Sequence, residues 1–155
     1  MQIEVRSGAP LGFNTSCLVV PLWQGEKLDG VAQKLNKSLG GLVQEVIEQD
    51  GFKGSAGETR VLYSSEKIGA PRVILLGLGK REKFHLQSLL KAAAKAARGV
   101  RALKRGDFAL VVPTFENFDA REVATAVTEG ITLGLHVYNE LKTSPEAREQ
   151  TEISK

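Results

Sequence analysis

Arg72-Val73-Ile74-Leu75-Leu76-Gly77-Leu78-Gly79-Lys80 is the run on which the fold turns. Val73, Ile74, Leu75 and Leu76 are four large apolar residues in succession, too few for a helix and stopped by Gly77, the pattern of a strand covered on both faces. From Leu86 onward the apolar period changes. At about 100° per residue, Leu86, Leu89, Leu90, Ala93, Ala97, Val100 and Leu103 fall within one arc of roughly 140°, which predicts an amphipathic helix with that arc against the sheet. Lys91, Lys95, Arg98, Arg101 and Arg105 share the opposite arc, so a basic stripe is expected to face outward. Lys104 breaks the division, lying on the apolar side where its stem can cover the core and its ammonium reach water.

Working towards the N-terminus, residues 60–63 read as another strand and residues 50–58, with Gly51, Gly54 and Gly57 among polar residues, as a turned or flexible connection. Residues 29–49 have helical spacing interrupted at Gly40-Gly41, which predicts two helices or one that bends there. Residues 17–23 are a second apolar run, a buried strand whose Pro21 belongs near an end or edge and whose Trp23 belongs at the rim. Ile3 and Val5 alternate with polar neighbours, the period of a strand with one wet face.

Towards the C-terminus, residues 108–112 form a fifth short run ended by Pro113. Asp119, three residues before Glu122, then predicts a capped helix reaching about Tyr138. Ala126, Gly130 and Gly134 recur every fourth residue along it. Since each glycine costs about 1 kcal/mol against alanine in a helix interior, their spacing implies a close neighbour. Residues 143–155 carry only Ala147 and Ile153 as apolar positions and read as a linker or a disordered end. Strands alternating with helices predict an α/β fold, a three-layer α/β/α sandwich around a mixed, largely parallel sheet.

The chain has 155 residues, 42% of them hydrophobic and 25% charged, which suits one core and one domain. The net charge of +3 is too small to argue for a nucleic-acid partner, but residues 80–105 hold nine Lys/Arg and one acid, Glu82, so the charge is polarised. Cys17 is the single cysteine and allows no disulfide within one chain. The first residues lack the basic and then apolar regions of a secretory signal, and no apolar run has bilayer length, so a cytoplasmic protein without a membrane partner is expected.

Catalytic patterns are scarce. A dinucleotide fingerprint on Gly77-Leu78-Gly79 would need glycine at position 82, which is Glu82, and a P-loop ending in Gly79-Lys80 would need glycine at position 74, which is Ile74. His85 and His136 stand alone, without a metal-ligand spacing around them. Cys17 lies in an apolar strand, as a core residue would. Two candidate contact regions remain. Gly54, Gly57, Gly77 and Gly79 form a candidate anion or nucleotide loop, against which stands a turn that only packs strand on helix. The stripe Lys91, Lys95, Arg98, Arg101 and Arg105 is a candidate nucleic-acid or subunit contact, against which stands a solvated helix face.

Four segments carry a resemblance: Cys17-Leu18-Val19-Val20-Pro21-Leu22, Phe52-Lys53-Gly54-Ser55-Ala56-Gly57-Glu58, the run Arg72 to Lys80, and Glu129-Gly130 continuing to Lys142-Thr143. In that order they resemble the N-terminal domain of the leucyl aminopeptidase family, also called cytosol aminopeptidases. Near its end the chain departs from the family, with Glu140 where a basic residue is common. The resemblance implies a macro-domain-like fold over residues 1–142 and a linker over 143–155 towards a C-terminal catalytic domain. That domain would hold two divalent metals, manganese or zinc, and release N-terminal amino acids, preferably leucine. The family's signature Asn-Thr-Asp-Ala-Glu-Gly-Arg is absent here, so no catalytic or metal residue is assigned to this chain and no cofactor is expected in it. It also implies hexamers in which this domain supports assembly and substrate access, and DNA as a partner of some members. The alternative is a stand-alone macro-like module that binds a nucleotide or ADP-ribose.

Overall fold

The computed structural model describes residues 3, 4, 6, 8–104 and 106–136. Four strands, β1 (Cys17–Leu22), β2 (Thr59–Tyr63), β3 (Arg72–Gly77) and β4 (Ala109–Leu110), form one sheet in the order β2-β3-β1-β4. β1 runs parallel to β3 and β4, and β2 runs antiparallel to β3, so the sheet is mixed and mostly parallel as expected. Helices α1 (Gly30–Ser38) and α2 (Leu42–Gln49) cover one face, and α3 (Leu86–Ala102) and α4 (Ala120–Leu135) lie on the other. The α/β/α sandwich follows from β1 and β3 themselves. Leu18, Val20, Val73 and Leu75 join the core under α1 and α2, while Cys17, Val19, Ile74 and Leu76 join the core under α3. Every one of these eight is fully buried, which is why both runs lack polar alternation.

Several expectations hold in detail. Gly40 and Gly41 take positive φ, 68° and 89°, and divide residues 29–49 into two helices. Asp119 caps α4 by accepting from Glu122 N at 2.8 Å while Glu122 accepts from Asp119 N at 3.2 Å. Pro21 sits on an inner strand, but β4 pairs β1 only at Leu18 and Val19, so the missing N–H falls beyond the paired stretch.

Other expectations are corrected. Ile3, Glu4 and Arg6 belong to no strand, and Ile3 is 41% exposed. Two alternating apolar residues offer too little buried area to hold an edge strand. The fifth run shrinks to Ala109–Leu110, extended only by Val111 N donating to Val19 O at 3.0 Å. α4 ends at Leu135, where His136 turns to extended φ and ψ, not near Tyr138, which lies outside the described residues. The arc assigned to the sheet on α3 is divided between two neighbours. Val100 and Leu103 of the arc meet the sheet together with Ala92 and Ala96, which the arc left out, whereas Ala93 and Ala97 pack on Ile131 of α4. Gly130 and Gly134 make that packing close. A Cβ on Gly130 would overlap Leu90 O and sit 2.8 Å from the Ala93 Cβ; one on Gly134 would overlap Ala94 O and sit 2.9 Å from the Ala97 Cβ. Residues 143–155, read as a linker, lie outside the described residues, and no described helix is long and apolar enough to cross a membrane.

Candidate functional site

Because β1, β3 and β4 run in one direction, their carboxyl ends open on the same end of the sheet, where α/β folds usually place ligands. There the chain leaves β1 through residues 23–29 and enters α1 at Gly30, which adopts φ 51°. A cleft of about 770 Å³ lies between this loop, residues 52–54, residues 111–114 and Arg81. Leu22, Val31, Ile47 and Phe52 give it an apolar lining; Lys27, Lys53 and Arg81 supply positive charge, Glu26 and Asp29 negative. An apolar cavity with a few charged groups on its margin is the general form of a small-molecule site.

The glycine loop forms one wall. Oε1 of Glu58 accepts from the N–H groups of Lys53 at 2.9 Å, Gly54 at 3.0 Å and Ser55 at 3.3 Å. Residues 53–55 are thereby wrapped around a carboxylate belonging to their own chain. The loop then fastens to the turn after β3: Gly57 N donates to Gly77 O at 3.0 Å, Gly77 N to Glu58 O at 2.7 Å and Gly79 N to Gly54 O at 2.9 Å. Gly77 permits this approach, since a Cβ there would overlap Ser55 O and lie 2.6 Å from Gly54 C. The structure therefore does bring Gly54, Gly57, Gly77 and Gly79 together. All four N–H groups are engaged within the protein, and only Gly54 lines the cleft.

The rim was only partly legible in sequence. Arg81 donates to Glu26 through Nε at 2.9 Å and Nη2 at 2.8 Å, and its guanidinium lies 4.4 Å from the centre of the Trp23 ring. The hydrogen bonds from Arg81 hold the Glu26 carboxyl below its ordinary range, with desolvation opposing them and the guanidinium charge assisting; the same pair raises Arg81. Trp23 meets Phe84 edge-on at 4.9 Å, Phe84 stacks on Phe115 at 5.3 Å, and Phe115 contacts Phe118 at 5.6 Å. Three separate segments supply these rings. No local spacing connects them, so only the aromatic identity of each residue could have hinted at the cluster.

The basic stripe divides as well. Lys91, Lys95 and Arg98 are exposed, while half-buried Arg101 donates from Nη1 to Leu135 O at 3.0 Å and caps the end of α4. Arg105 lies outside the described residues. His85 opens α3, its N–H donating to Ser88 Oγ at 3.3 Å, and His136 follows α4. Among the described residues no group of three or more His, Cys, Asp or Glu is arranged to hold a metal ion.

A model of the cytosol aminopeptidase family, N-terminal domain, matches residues 19–145. A probable cytosol aminopeptidase of Roseiflexus castenholzii is 32% identical over 153 residues, covering 99% of this chain and 29% of that protein. The chain thus spans about a third or less of the length of such relatives. In fold it is similar to a tomato leucine aminopeptidase mutant, with TM-score 0.76 and 19% identity over 96% of this chain and 30% of that one. It is also similar to the macrodomain of Mycobacterium tuberculosis DarG, with TM-score 0.69 and 16% identity over 84% of this chain and 90% of that one. With the family match over residues 19–145 and a relative 32% identical over 99% of this chain, the chain belongs to the cytosol aminopeptidase family as its N-terminal domain.

Proposed function

We propose that this chain serves as the non-catalytic N-terminal domain of a cytoplasmic, metal-dependent leucyl aminopeptidase. In this reading the hydrolytic site, with two divalent metals such as manganese or zinc, belongs to a C-terminal catalytic domain. The present domain supports assembly of a hexamer and shapes substrate access. The observation that carries the reading is the family match over residues 19–145 in a chain that spans 29% of its relative. Two measurements test it. The purified chain with added manganese or zinc is expected to leave leucine p-nitroanilide intact, and metal-dependent hydrolysis co-purifying with it through successive columns would overturn the non-catalytic assignment. Mixed with a separately expressed catalytic domain of a relative, the chain is expected to raise the oligomer mass in light scattering; two species that stay apart would overturn the assembly role.

One observation favours a second reading, a macro-like module that binds a nucleotide or ADP-ribose. The cleft of about 770 Å³ has the size of a small-molecule site. Calorimetric titration with ADP-ribose separates the two: saturable binding abolished by filling the cleft from its exposed wall with Val112→Trp supports the module, and absence of heat at millimolar ligand rejects it.

A further inference from the structure

Among the described residues β2 is an outer strand of the sheet, paired only with β3. Ser64 N donates to Pro71 O at 3.2 Å and Gly77 N to Glu58 O at 2.7 Å, which sets the phase of the ladder. In an antiparallel pair the inward and outward main-chain groups alternate. Arg60 and Leu62 therefore spend their N–H and C=O groups on β3, while Thr59, Val61 and Tyr63 turn theirs to the open edge, where the Thr59 C=O accepts from Arg60 Nη1 at 3.0 Å. Natural edges are usually guarded by lysine, proline or a bulge. Here the three outward positions are Thr, Val and Tyr, all strand formers.

The side chains tell the same story on one face. Leu62 is buried under α1 and α2, so its neighbours Val61 and Tyr63 point to the α3 side. No β2 residue joins the core beneath α3, which draws on β1, β3 and, through Leu110, β4. Val61 is left 39% exposed and Tyr63 60% exposed, with the Arg72 guanidinium 4.2 Å from the Tyr63 ring centre. α3 lies over this same face of the sheet, packed on α4 through Ala93 and Ala97, and its exposed cations Lys91, Lys95 and Arg98 are turned away from those contacts. That helix contains no acid, and none of these cations or Arg72 forms an ion pair among the described residues.

We propose that the β2 edge is a docking strand for an extended, acidic segment of a partner protein, which adds to the sheet and sets its carboxylates against the α3 cations. This goes beyond the proposed function and does not depend on it. Strand addition uses the main-chain groups at Val61 and Tyr63 and the Thr59 N–H for affinity, and the side-chain charge for selection. A second copy of this chain fits less well. Pairing β2 with itself about a twofold axis puts both α3 helices on the same face of the joined sheet, with like charges turned towards one another.

The test uses a labelled eight-residue peptide alternating Val with Glu. Fluorescence anisotropy should give saturable binding that weakens about tenfold from low to high salt, and hydrogen exchange at the Val61 and Tyr63 amides should slow when peptide is present. Val61→Pro removes an N–H that β3 does not use, so it should preserve the melting temperature and abolish binding. Should that variant fail to fold, Val61→Glu keeps the N–H, places a like charge at the edge and should lower affinity at least about tenfold, roughly 1.4 kcal/mol. Lys95→Glu with Arg98→Glu should do likewise. The proposal fails if the two amides gain no protection, if a Val-Lys peptide binds equally well, or if ultracentrifugation shows a dimer that Val61→Pro dissolves.

Discussion

Oε1 of Glu58 is the shared acceptor for three successive N–H groups, and its removal leaves those donors to find water in a half-buried turn. Unpaired donors of this kind cost about 1–3 kcal/mol, so Glu58→Ala is expected to lower the urea midpoint by a corresponding amount. Glu58→Gln keeps an oxygen acceptor and should lose less; equal losses would mean that the carboxylate is not what holds the turn. Arg81 and Glu26 give a different expectation because both are exposed. The folded-state value for Glu26 is depressed, so the pair's contribution is present above the unfolded carboxylate range and fades as pH falls through the lower folded value. Carbon-detected titration should find Glu26 ionising below the ordinary carboxylate range, with the depression gone in Arg81→Ala. Neither feature was legible beforehand. A glutamate four residues past a glycine has no distinctive pattern, and positions 26 and 81 meet only after β1 and β3 have paired.

Between α3 and α4, helix propensity and packing make opposite demands. Gly130→Ala and Gly134→Ala each relieve about 1 kcal/mol of intrinsic helix cost, yet the new methyl groups would overlap Leu90 O and Ala94 O. Backbone oxygens cannot rotate away, and overpacking costs about 1–3 kcal/mol, so both variants are expected to melt lower than the parent. Since either methyl pushes α4 off the same surface, the double variant should lose less than the two single losses combined. A melting temperature raised by either substitution would show that α4 yields freely. The recurrence of small residues at every fourth position announced this contact, because glycine inside a helix needs a reason. The division of α3 between sheet and helix was hidden, since alanine is equally at home against either and its position on the arc does not say which neighbour is nearer.

At the scale of the molecule, the alternation of strands and helices and the doubly covered β1 and β3 were readable because runs such as 73–76 admit few other interpretations. The edges were not. β4 is two residues long and the segment around Ile3 adds no strand among the described residues, for at an edge pairing depends on area that local sequence does not reveal. Of the stripe, Lys91, Lys95 and Arg98 lie exposed, Arg101 is half-buried and Arg105 lies outside the described residues. Replacing Lys91, Lys95 and Arg98 together with Glu should leave the melting temperature within about 1 °C, as surface changes away from specific partners do. Arg101→Glu should lower it by several degrees by uncapping α4. If the exposed trio contacts DNA, a duplex retarded at low salt is released by the triple reversal; unaltered retardation would place the contact elsewhere.

α1, α3 and α4 each begin at the end of the sheet where the cleft lies. Their peptide dipoles therefore point the same way, and each contributes about half a positive unit charge there. Glu26, Asp29, Glu82, Glu116, Asp119 and Glu122 lie in the segments gathered at that end and offset this field while ionised. Exchanging these acids for Asn and Gln would remove the counterweight and leave the dipoles untouched, so the cleft end is a latent cationic terminal whose pull on anions their charge holds in check.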